Sequence, residues 1–196
     1  MSPSLRERGL GRQNLFAMVI RAVAFDFGHT LVDEQKDASV PLESRPIHLM
    51  PDVAEILPHI PIPLAVWANT HTAAGADLRN FLDRAGIGRF FAWVVTSVDA
   101  GFRKPAPQFF DFALRKCTLV RDEVLFVGNQ LNTDIAGGQA YGIRTVWLSG
   151  SAYRSADEKL PSEDVHPTHT IPALCQLPSL LESLLSTRIR NYRQLS

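Results

Sequence analysis

Val19-Ile-Arg-Ala-Val-Ala-Phe-Asp-Phe-Gly-His-Thr-Leu31 is the stretch on which the fold turns. Its first seven residues form a short, mostly apolar run, the composition of a strand buried on both faces of a parallel sheet. Asp26 follows at the carboxyl end of that strand. Runs of the same kind recur at 64–68, 91–96, 124–127 and 145–148, each ending near Gly, Asn, Asp or Ser. Between them, apolar residues at three-to-four spacing predict helices at 53–59, 73–85, 107–116 and 133–141. Alternating strands and helices imply right-handed βαβ crossovers. The expectation is therefore an α/β fold with three layers, α/β/α and Rossmann-like, around a mainly parallel sheet of about five strands.

The remaining chain is read from its punctuation. Residues 1–17 carry Arg6, Arg8 and Arg12 without apolar periodicity and are expected to form a flexible extension, with Met18 a candidate start. Residues 18–196 then form one domain, without a large cap. The stretches 32–50 and 149–169 read as polar loops, and the leucines of 172–185 as a terminal helix covering the sheet. A chain of 196 residues suits a single core.

Hydrophobic residues make up 45% and charged residues 20%, as in ordinary globular proteins. Twenty basic residues balance twenty acidic ones, so no overall field steers the chain toward nucleic acid or an anionic membrane. Cys117 and Cys175 have neither a metal-ligand spacing nor the density of a disulfide framework, which suggests a reduced, cytoplasmic setting. The apolar run at 15–20 is too short to span a bilayer.

Four segments gather the polar residues at strand ends, where ligands sit in such sheets. They are Asp26-Phe-Gly-His-Thr30, Ala68-Asn-Thr70, Arg103-Lys-Pro105 and Gly128-Asn-Gln-Leu-Asn-Thr-Asp134. In order and strand context they resemble the four motifs of the haloacid dehalogenase-like (HAD) superfamily, a likeness supported by the run from Ala140 to Trp147. The resemblance spans residues 20–148.

It implies that Asp26 is the nucleophile of a Mg²⁺-dependent phosphohydrolase and forms an aspartyl phosphate that water cleaves. Lys104 would supply positive charge to Asp26 and to the phosphoryl oxygens. Thr30 and Asn69 would donate hydrogen bonds to those oxygens. Mg²⁺ would lie on Asp26, the Gly28 carbonyl, Asn129 and Asp134. The implied substrate is a phosphorylated small molecule or macromolecule, with no nucleic acid or membrane partner. The open site of a chain without a large cap also suggests a homo-oligomer.

Three positions depart from the family pattern. Gly28 stands where the family has the Asp that protonates the leaving group, a function worth roughly 10² to 10⁴ in rate. His29, which titrates near neutrality, is a candidate replacement, with His71 a weaker one. Asn129 replaces a carboxylate, and Ala68 a hydroxyl. These losses bias the expected activity toward good leaving groups such as acyl or aryl phosphates. They also keep two alternatives open: a weakened member that binds a phosphorylated ligand or protein partner, and a 2-haloacid dehalogenase. A phosphorylated receiver is disfavoured, because its Asp normally follows the third strand beside an acidic pair.

Overall fold

The structure, a computed structural model, describes residues 19–34, 40–154 and 165–193. The expected extension at 1–17 and Met18 lie outside the described residues, as do parts of the two polar loops. Six strands form one parallel sheet: β1 (Ala22–Phe25), β2 (Leu64–Ala68), β3 (Phe91–Thr96), β4 (Val124–Gly128), β5 (Arg144–Leu148) and β6 (His169–Ile171). Their spatial order is β3-β2-β1-β4-β5-β6. The three-layer α/β/α architecture is the one expected. The sixth strand adds a short edge where the sequence reads as loop running into helix.

β1 is central. Its Phe25 sits beside Val66 of β2 and Val127 of β4. The chain winds from β1 to β2 and β3 on one side, then crosses back to β4 on the other. A crevice opens at this reversal, past the carboxyl ends of β1 and β4. Asp26 enters that crevice while its N–H still donates to the Val127 carbonyl at 2.9 Å, so the ladder fixes its backbone.

Alternation along the strands divides the core into two layers. Val23, Phe25, Leu64, Val66, Leu125 and Val127 face one side, under Leu78, Phe81, Leu177 and Leu181. Ala24, Trp67 and Phe126 face the other, against Phe109 and Phe110. The α-helices of the described residues are α1 (Val53–Ile56), α2 (Gly75–Arg84), α3 (Ser97–Ala100), α4 (Pro107–Cys117), α5 (Ala136–Tyr141) and α6 (Leu177–Arg193), of which α2, α4 and α6 supply these core residues. Each large side chain fully buried there contributes about 1.5–3 kcal/mol. Trp67, Phe110 and Phe126 pack edge-on or tilted within 6.3 Å of one another.

Two helix starts differ from the sequence reading. The terminal helix begins at Leu177, because Pro172 and Ala173 lead into a 3₁₀ turn at Leu174–Gln176. The helix expected from 133 is a π turn at Leu131–Ile135 that continues into α5. Among the described residues no helix is long and apolar enough to cross a membrane. Cys117 is buried and Cys175 exposed, and both are free thiols.

Candidate active site

The site is assembled around one ammonium group. Lys104 Nζ donates to Asp26 Oδ1 at 2.6 Å, to Asp134 Oδ1 at 2.7 Å and to the Trp67 carbonyl at 2.8 Å. Its three hydrogens are thus matched to three acceptors. The group also lies 5.0 Å from the centre of the Phe126 ring. Lys104 is 3% exposed, Asp26 7% and Asp134 1%, so these charges interact with little water between them.

Each member is held by its own local structure. Asp26 rides on the end of β1. Asp134 sits in the π turn after β4, and its Oδ2 accepts from the Gln130 N–H at 3.1 Å. That approach requires glycine at 128, since a Cβ there would come within 2.6 Å of the Asp134 Cβ. Lys104 is placed by Asn69, whose Nδ2 donates to the Lys104 carbonyl at 2.9 Å and whose Oδ1 accepts from its N–H at 2.9 Å. The helix after Lys104 opens at Pro107, where the spacing predicts it.

Two carboxylates share one cation, and the balance shows in their protonation. Burial raises the Asp26 carboxyl above the ordinary carboxylate range, against the opposing pull of Lys104. Burial and the charge of Asp26 push Asp134 up to about 6. Burial alone would lower Lys104, yet the attraction of both carboxylates holds it above its usual value.

Asp26, Gly28, His29, Asn69 and Lys104 line one small cavity of about 60 Å³, together with Glu34 and a few neighbours. Thr30 and Asn129 do not line this cavity. Thr30 is fully buried and donates from Oγ1 to Asn129 Oδ1 at 3.3 Å rather than toward a ligand. Asn129 donates from Nδ2 to the Tyr153 carbonyl at 2.7 Å, and its own carbonyl accepts from Trp147 Nε1 at 3.0 Å. Together they tie β4 to β5 and the turn beyond it. Asn69 also differs in emphasis, because it positions Lys104 before any ligand arrives.

Of the four donors expected for Mg²⁺, Asp26 and Gly28 line the cavity. Asn129 lies off the cavity wall, and both Asp134 oxygens already accept hydrogen bonds. Mg²⁺ demands near-octahedral oxygen ligation. Among the described residues, no group of three or more His, Cys, Asp or Glu is placed to hold a metal ion.

A larger cavity of about 360 Å³ adjoins this one through Glu34 and Asn69, and Phe27, Leu42, Arg45 and His71 also line it. Its outer wall is a loop held by Arg84, which donates to the carbonyls of Leu42, Glu43 and Arg45. Arg45 in turn bonds Glu34 Oε1 at 2.9 Å through Nη1. Sequence reasoning passed over both Glu34 and Arg45, since nothing in the loop's spacing marks them.

A family model described as HAD-hydrolase-like matches residues 101–177. Among curated relatives, (S)-2-haloacid dehalogenase 2 of Pseudomonas sp. (strain CBS-3) is 27% identical over 140 residues, covering 71% of this chain and 57% of that protein. Pyrimidine 5'-nucleotidase YjjG of Escherichia coli (strain K12) is 35% identical over 101 residues, covering 51% and 42%. The chain spans about half the length of these relatives. A solved structure of an uncharacterized protein from Listeria monocytogenes serotype 4b superposes with a TM-score of 0.72 at 27% identity, covering 84% of this chain and 98% of the other. L-2-haloacid dehalogenase from Xanthobacter autotrophicus shares the fold with a TM-score of 0.69 at 17% identity, covering 84% and 99%. The strand order, the buried Asp26–Lys104–Asp134 cluster and these likenesses together make the chain similar to proteins of the haloacid dehalogenase-like superfamily.

Proposed function

We propose that this chain is a phosphohydrolase that transfers a phosphoryl group to Asp26 and then to water. The observation that carries this reading is the Lys104 ammonium 2.6 Å from the Asp26 carboxylate in a nearly dry site. A carboxylate attacking a phosphate monoester meets charge repulsion, and a fixed cation beside both groups lowers that barrier. Lys104 acts mainly through its field, since its hydrogens are already engaged. The relatives give support, because they include the nucleotidase and several glyceraldehyde 3-phosphate phosphatases.

The substrate we infer is a phosphorylated compound whose ester end occupies the cavity beside Asp26 and whose remainder lies in the larger one. No step here is routed through a metal. A solved HAD-hydrolase neighbour from Bacillus subtilis is bound to magnesium, so added Mg²⁺ forms one arm of the test. Purified chain and the Asp26→Asn variant are assayed on aryl, acyl and alkyl phosphates, with and without Mg²⁺. The expected result is turnover by the wild-type chain alone. Equal rates from the two proteins on every substrate would overturn the reading.

One observation favours a second reading. Two of the expected metal donors, Asn129 and Asp134, are taken up in hydrogen bonds while Asp26 and Lys104 remain paired, and carbon–halogen displacement by a carboxylate needs no metal. Chloride release from a 2-haloacid, lost in Asp26→Asn, would establish it in place of phosphate hydrolysis.

A further inference from the structure

A second carboxylate stands beside Asp26, and the chemistry described so far does not use it. Any side chain at position 28 would collide with Glu34 Oε2. The Glu34 carboxylate thus fills the volume that Gly28 leaves vacant, reached through the bridge between Gly28 and Val32. Glu34 lines the same small cavity as Asp26, and its charge is felt there, helping to raise the Asp26 carboxyl.

The two oxygens of Glu34 have different surroundings. Oε1 is held by Arg45 Nη1 at 2.9 Å, while Arg45 Nε donates to the Val40 carbonyl at 2.9 Å and its own carbonyl is held by Arg84. Oε2 is the oxygen turned to Gly28. The other groups on the cavity wall that exchange protons are Lys104, whose hydrogens are committed, and His29. The His29 backbone is fixed, with φ at 55° and its N–H on the Val32 carbonyl at 2.7 Å. Among the described residues lining the cavity, Glu34 is the carboxylate beside Asp26 whose oxygen fills the volume next to Gly28.

We propose that Glu34 is the general base for hydrolysis of phosphorylated Asp26, an inference that rests on the phosphohydrolase reading above. Glu34 Oε2 takes a proton from water as the water oxygen bonds to phosphorus. The bond between phosphorus and the Asp26 oxygen breaks, inorganic phosphate leaves, and the Asp26 carboxylate is restored. The proton on Glu34 then passes to solvent. Pairing with Arg45 favours the charged carboxylate of Glu34 over a proton donor in the first half-reaction, which favours leaving oxygens that depart readily as anions. The substrate class is therefore acyl and aryl phosphates.

The test uses the full chain with p-nitrophenyl phosphate and acetyl phosphate. Glu34→Gln should retain a first-turnover burst of nitrophenol while the steady-state rate falls by roughly 10²- to 10⁴-fold. Intact mass should show phosphoprotein accumulating in Glu34→Gln and none in Asp26→Asn. Glu34→Asp, which keeps the carboxylate but shortens it, should recover part of the rate. A steady-state rate unchanged in Glu34→Gln, or a burst lost in the same proportion as the steady state, overturns the proposal for Glu34 alone. Absence of Asp26-dependent turnover in the wild-type chain overturns this proposal and the phosphohydrolase reading together.

Discussion

The floor and the outer wall of the site are built on different principles. The floor, made of Asp26, Lys104 and Asp134, is set by the end of β1, the Asn69 amide at the end of β2 and the π turn after β4, and it buries three charges at no more than 7% exposure. The wall, made of Glu34, Arg45 and the loop between Val40 and Arg45, is held by side chains gripping loop carbonyls, and the Glu34 side chain is 31% exposed. On the floor, position follows from the sheet, so geometry is secure and the electrostatic stakes are high. On the wall, position follows from a few guanidinium contacts, so each change costs less stability while bearing directly on the chemistry.

The contrast is broken most severely at its centre. Lys104→Met would leave two buried carboxylates without their cation, and unfolding in urea should show a loss of about 3–5 kcal/mol. A loss no larger than that of a surface substitution would show that the floor is wetter than its burial implies.

Next in size is a pH effect on the same cluster. The folded Asp134 carboxyl, at about 6, lies above its ordinary value of 3.8. The folded state therefore binds the proton more tightly than the unfolded chain does. The stability this confers is complete below about pH 4 and is lost as pH rises through 6. Asp26 is raised as well and acts in the same direction. Urea midpoints measured across that window should fall with pH in the wild-type chain and fall less in Asp134→Asn. An identical slope in the two proteins would remove Asp134 as its source.

Asn129→Asp sharpens the distinction between a ligand and a tie. The new carboxylate could no longer donate to the Tyr153 carbonyl, and leaving such a buried group unpaired costs about 1–3 kcal/mol. Thermal melting should show that loss, with no added stabilisation by Mg²⁺. Stabilisation by the ion, greater than in wild type, would restore position 129 to a metal site. The smallest effect belongs to the wall. Arg45→Met removes an ion pair that is partly exposed on the Glu34 side, and should cost about 1 kcal/mol in urea unfolding. Its steady-state turnover should nevertheless fall, because Glu34 would lose the contact that aims it.

The same contrast explains what the sequence makes legible. Strands buried on both faces write themselves as short apolar runs, so β1 to β5 and the strand-end positions of Asp26, Asn69 and Asp134 can be read directly. β6 escaped because three residues beside Pro172 carry too little pattern. The residue types at Thr30 and Asn129 are visible, but the direction in which an amide or hydroxyl points depends on partners such as Tyr153 that lie far along the chain. Glu34 left no periodic trace. Its place emerges only from the empty volume beside Gly28, which exists in three dimensions and not in spacing.

Arg84 has a consequence for re-engineering the molecule. One guanidinium on α2 donates to the carbonyls of Leu42, Glu43 and Arg45, so three points of the loop are pinned to the helix between β2 and β3. Sequence grafted between Leu42 and Arg45 would tear all three anchors apart. An insert placed after Pro46 would leave them intact and project from a fixed base. That junction is the place to build a roof over the larger cavity and narrow what the site admits, without rewriting the floor.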